Sequence, residues 1–169
     1  MKEDDIITQL ELNARIFNNL LIEIPQDEIK WKPSEDKWCL LEIICHLYDE
    51  EREDFRARLA KILHNDYNWN PIDPQGWITS RNYIYENYYD KLNGFLHERK
   101  KSVAWLKNLN LFNWNIEVVH PKLGKFSSKQ MLAEWLAHDY LHFRQIIKTR
   151  FQYLDNFLKP DSIRYAGEW

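Results

Sequence analysis

Residues 127–154, SSKQMLAEWLAHDYLHFRQIIKTRFQYL, decide the fold. Ser127 and Ser128 offer a helix cap. Met131, Trp135, His138, His142, Ile146 and Thr149 then recur at three- and four-residue intervals and share one side of a long helix. Three further segments carry helical patterns. Residues 3–22 place Ile6, Ile7, Leu10, Ile16, Phe17, Leu20 and Leu21 at helical spacing, with acids in the first turn that suit the helix dipole. Residues 39–64 carry the aliphatic stripe Leu40, Ile44, Leu47, Phe55, Leu59 and Ile62, and residues 80–107 predict the third helix, with Gly94 tolerated inside it.

The connectors fix how these helices join. Pro25 ends the first helix, and residues 25–38 read as a link with one helical turn at most. Residues 65–79, NDYNWNPIDPQGWIT, predict a loop of about fifteen residues, long enough for a crossover. Residues 108–126, with Pro121 and Gly124, predict a second connector. Four long amphipathic helices with two substantial links describe an all-α four-helix bundle, with the long crossover between helices two and three.

Composition supports one helical domain spanning residues 1–169. The chain has only four glycines, which disfavours phosphate-cradling loops and turn-rich β folds, and 25 aromatic residues, which suit a thick core or an apolar pocket. With 23 basic and 26 acidic residues the formal charge is -3, unlike the basic excess of a general nucleic-acid binder. No apolar run reaches the length of a membrane span, and the N-terminus, MKEDDIITQLELN, lacks a signal-peptide core. A cytoplasmic protein is expected. Exposed aromatic surface would support a homodimer, although all 25 rings fit inside a bundle. Cys39 and Cys45 are six residues apart on different helix faces and lack zinc-thiolate spacing, so both read as reduced, half-buried packing residues.

His138 and His142 fall within about 40° of each other around the helix, where two imidazoles can share an ion. Such a pair alone is a weak signal, since most pairs of this spacing arise by chance or as simple polar packing. His46, on helix two beside Ile43, Glu50 and Asp54, is the best third donor; alone it reads as an ordinary half-buried histidine. His64, His97 and His120 read as surface or loop residues, with His120 able to approach from the second connector. Three neutral imidazoles would hold a divalent ion, zinc or nickel, and leave a coordination position open. That ion would lower the pKa of a bound water or thiol.

Three acids lie near this set. Glu50 is one turn from His46, Glu51 projects into the aliphatic stripe between Leu47 and Phe55, and Asp139 follows His138. A supporting role behind the ligands is expected for all three, rather than direct ligation. Glu51 needs a buried partner, with Arg52, Arg56 and Arg58 close in sequence.

Residues 37–51, KWCLLEIICHLYDEE, and 120–146, HPKLGKFSSKQMLAEWLAHDYLHFRQI, resemble the two motif blocks of the DinB-like superfamily. The resemblance covers helices two and four and extends over most of the chain. It implies an up-down-down-up bundle and a metal triad at His46, His138 and His142. The family includes thiol S-transferases and isomerases that use low-molecular-weight thiols. Either a metal-dependent thiol transferase or a hydrolase acting on a small molecule is therefore expected. The competing reading is a non-catalytic bundle in which a metal or small ligand has a structural or stress-related role. Segments 49–59, 70–78 and 165–169 resemble a subgroup from which no activity carries over. Trp77 and Tyr67 in the long loop are candidate walls of a substrate pocket.

Overall fold

The computed structural model describes residues 1–64, 66, 71–109, 113–120, 124–167 and 169. Four long helical stretches form the bundle: α1 (Glu3–Leu21), α3 with α4 (Leu40–Glu50 and Arg56–Leu63), α6 (Tyr88–Lys107) and α7 (Ser128–Phe157). A single turn, α2 (Gln26–Ile29), lies in the first link.

Side-chain contacts give the direction of each helix. Between α1 and α6, Tyr88 Oη donates to the Leu21 carbonyl and Lys107 pairs with Glu11, so the two run antiparallel. Between α1 and α7, Lys129 pairs with Glu3, Asn13 donates to Asp139 and Arg150 donates to the Leu20 carbonyl, so these run parallel. Arg99 pairs with Glu51 and Arg56 with Glu98, while the Gly94 backbone lies against Tyr48; α3–α4 and α6 are parallel. His46 meets His142, and Trp135 meets Glu51, so α3 and α7 are antiparallel. The order is up-down-down-up. Because helices two and three point the same way, the chain must return the length of the bundle between them.

That return contains more structure than its sequence suggests. Within the predicted loop, Pro74–Ser80 forms α5, started by Asp73, whose side chain accepts from the Gly76 amide, and by Pro74 at the first helical position. The third long helix begins at Tyr88 rather than near residue 80. Tyr83–Tyr85 makes a 3₁₀ turn, and Asn87 caps α6 by accepting from the Asp90 amide. Arg81 donates to Asp49 and Glu53, and Tyr83 Oη donates to Asp49 at 2.8 Å, which ties the crossover to α3. Tyr67 lies outside the described residues.

Helix two is not one regular helix. Glu51–Phe55 is a π turn between α3 and α4, whose extra residue per turn moves the stripe relative to its upstream half. Gly94 of α6 has its own packing reason: a Cβ there would come within 2.9 Å of the Tyr48 ring, so glycine permits this close approach of parallel helices.

The second connector contains a β-hairpin rather than an irregular link. Strands β1 (Glu117–His120) and β2 (Gly124–Ser127) pair antiparallel, with Gly124 at φ +75. Val118 and Phe126 are buried with Met131, Leu132 and Trp135, while Ser128 and Lys129 amides donate to the Ile116 and Trp114 carbonyls. The hairpin is thereby fixed to the start of α7, where Ser127 caps by accepting from the Gln130 amide. Cys39 and Cys45 are free and fully buried, not half-buried. Burial pushes their thiols up, to about 11 and about 12.

Candidate metal centre

His46 projects from α3, and His138 and His142 project from successive turns of α7. Their Nε2 atoms form a nearly equilateral triangle: His46 to His138 is 3.3 Å, His46 to His142 is 3.1 Å and His138 to His142 is 3.0 Å. The antiparallel packing of α3 on α7 brings the sequence-distant pair together, and the i,i+4 spacing supplies the rest. Nitrogens 2.0–2.1 Å from a common ion lie about 3–3.5 Å apart, so the triangle has the size one ion requires.

Burial holds all three imidazoles neutral at ordinary pH, with His46 and His142 pushed down to about 3 and His138 to about 4. Neutral rings are the ligating form. They also have a bonding deficit among themselves. Each neutral ring carries one N–H, so three mutually adjacent Nε2 atoms cannot all be satisfied when the protons sit on Nδ1; a cation accepting all three lone pairs removes the conflict. The residues present therefore fit a metal ion.

Among the three acids, only Glu50 reaches this triangle. Its Oε2 is 2.8 Å from His138 Nε2 and 3.6 Å from His46 Nε2, and burial raises its pKa. Glu51 and Asp139 instead face Arg99, which lies in the charged run HERKK at residues 97–101. Arg99 is 1% exposed, spans Asp139 with its two terminal nitrogens at 2.7 and 2.8 Å, and contacts Glu51 at 2.9 Å through Nε. Trp135 donates to the other Glu51 oxygen, and Asn13 donates to Asp139. None of Arg52, Arg56 or Arg58 is that partner: Arg52 takes Asp49 and Glu53, Arg56 takes Glu98, and Arg58 takes Asp54. The signal for Arg99 was its place in the buried series Leu92, Phe95, Arg99, Ser102, Val103 and Leu106.

The triangle stands in the wall between two cavities. One, of about 680 Å³, is lined by His46 and His142 with Trp38, Arg144, Lys148 and Trp169 among others. The other, of about 460 Å³, is lined by His138 with Asp54, Arg58, His120, Glu134 and Phe55 among others. Trp38 packs edge-on against His46, and Phe55 lies 5.0 Å from the His138 ring. His120, carried by β1, thus faces the same cavity as His138 without joining the triangle. His64 closes α4, and His97 is exposed. Trp77 packs beside the core and holds Arg81 by a cation–π contact, so it supports the crossover, and it is not among the residues lining either cavity.

A parallel-and-antiparallel bundle of this order, with three histidines converging from helices two and four, defines a recognisable class. The chain belongs to the DinB superfamily, whose family model matches residues 9–146. Its fold is also that of YfiT from Bacillus subtilis, described as a probable metal-dependent hydrolase with an unusual four-helix bundle topology. The two share 15% identity over 90% of this chain and 87% of that one, with a TM-score of 0.79. Among curated proteins, none matches. No helix among the described residues is long and apolar enough to cross a membrane.

Proposed function

We propose that the protein is a metal-dependent enzyme in which His46, His138 and His142 hold one divalent ion, zinc or nickel, and that its reaction is hydrolysis of a small molecule. The observation that carries this reading is the 3.0–3.3 Å triangle of Nε2 atoms, set between two cavities instead of sealed in the core. An ion held by three imidazoles would supply Lewis acidity to a water or thiol at a remaining position.

The protein's own groups have separate tasks. Packing by Trp38 and Phe55 fixes the His46 and His138 rings and keeps bulk water from their faces. Glu50, 2.8 Å from His138 Nε2, is placed to accept a proton at Oε2 from a nucleophile beside the triangle. The Glu51–Arg99–Asp139 cluster lies one layer deeper and secures the helices that carry the histidines.

A low-molecular-weight thiol as co-substrate is the second reading. The protein offers no thiolate of its own here, since Cys39 and Cys45 are buried in the apolar core with their thiols held protonated. A thiol nucleophile would have to arrive from solution.

Turnover assays on the untagged protein separate these readings. Hydrolysis of activated esters or amides that is lost with a chelator and restored by zinc or nickel is the expected result. Metal-restored conjugation of a small thiol to an electrophile, without hydrolysis, would favour thiol transfer. Turnover unaffected by chelation would overturn both.

A further inference from the structure

The two cavities beside the histidine triangle differ in charge. The smaller one presents Asp54, Glu134, Arg58 and His120, with Asp54 already ion-paired to Arg58. Among its side chains the larger one presents Lys37, Arg144 and Lys148 against one acidic side chain, Asp36. That acid is spent: Lys37 pairs with it at 2.8 Å and Ser34 donates to it, which holds its carboxyl down at about 2. Two cations remain. Among the described residues, neither Arg144 nor Lys148 has an ion pair or a side-chain hydrogen bond, although most other arginines of the protein are paired. Counted over side chains, this lining carries two positive charges in excess, against a net charge of -3 for the chain.

Their position relates this charge to the reacting centre. Arg144 and Lys148 follow His142 on α7 by two and six residues, about 3 and 9 Å along the helix axis. Gln145 lines the same wall, and Trp38 and Trp169 supply flat apolar surface in it. A small molecule of ordinary size would span from the triangle to these cations. Both side chains are exposed to solvent and line one cavity, and a guanidinium and an ammonium are the groups that recognise oxyanions.

We propose that the larger cavity is an oxyanion-binding subsite: Arg144 and Lys148 hold a carboxylate or phosphate group of the substrate while its reactive bond lies at the histidine triangle. This assignment of substrate class rests on the metal-enzyme reading above, but its binding step needs only the two cations.

Calorimetric titration of the full, metal-depleted protein with succinate and, separately, with inorganic phosphate tests it. The expected result is binding of at least one probe, weakened tenfold or more in the Arg144→Gln/Lys148→Gln double variant and weakened by added salt. Succinate binding alone would mark the group as a carboxylate, and phosphate binding alone as a phosphate. No binding of either probe, or binding that the double variant keeps, would overturn the proposal. Binding that appears only after zinc is restored would also overturn it, because the anion would then be a ligand of the metal; the metal-enzyme reading would survive that outcome.

Discussion

Exchanging Arg99 for methionine is expected to destabilise the protein by about 3–5 kcal/mol, the cost of leaving buried charges without their partner. Both acids that face it are affected. Glu51 and Asp139 are 2% and 0% exposed, and Arg99 supplies three of their contacts at 2.7, 2.8 and 2.9 Å. Burial already raises the Glu51 carboxyl, and the positive charge of Arg99 is the largest effect that opposes it. For a chain of this length the loss corresponds to a fall in Tm of roughly 6–20 °C, measured by thermal circular dichroism at pH 7. The combined exchange Glu51→Gln, Arg99→Met and Asp139→Asn should recover a large part of it, because the buried charges go together. An Arg99→Met protein as stable as the parent would show that the cluster does not hold the bundle.

The second large effect concerns metal affinity. Replacing His142 by alanine is expected to weaken metal binding by more than about a hundredfold, since even loss of a residue that merely supports a ligand costs 10–100-fold. The helical signal should survive. The apolar clusters around Phe17, Ile43 and Phe95, and around Leu10, Leu59 and Trp135, hold the four helices independently of the triangle. Metal content by elemental analysis and far-ultraviolet circular dichroism check the two halves separately. A variant that unfolds would mean that the ion holds the fold together. A variant with undiminished metal content would remove His142 from the ligand set.

The parts of this architecture that repeat with helical period were legible in the sequence, and the parts set by tertiary contact were not. The stripes of α1, α3, α6 and α7 and the i,i+4 pair His138–His142 follow from local spacing, and the proline-rich stretch before α5 announced a long crossover. Asp73–Pro74 is a helix-start signal inside that stretch, and it identifies α5 once read as cap and first residue. The hairpin left a weaker trace in Val118 and Val119 ahead of Gly124. The π turn at Glu51–Phe55 has no signature in composition. Glu51 falls inside the apolar stripe, yet its partner lies 48 positions away on α6, where a run of charges conceals a buried arginine. Asp139, next to His138 in sequence, points away from the triangle on a helix, toward Arg99 and Asn13, partners that its own neighbours in sequence do not reveal. Glu50, one turn from His46, stayed on the histidine face.

Cobalt substitution tests the central claim most directly, that three histidines hold one ion and leave a position open. The untagged full chain, loaded with Co(II), should bind one equivalent and show a visible absorption spectrum that shifts when azide or a small thiol is added. The same titration on His46→Ala should give neither the spectrum nor the shift. A protein that fails to retain cobalt would contradict the triad. A one-equivalent spectrum that no anion or thiol perturbs would mean that Glu50, 2.8 Å from His138 Nε2, closes the coordination shell and that the ion is structural.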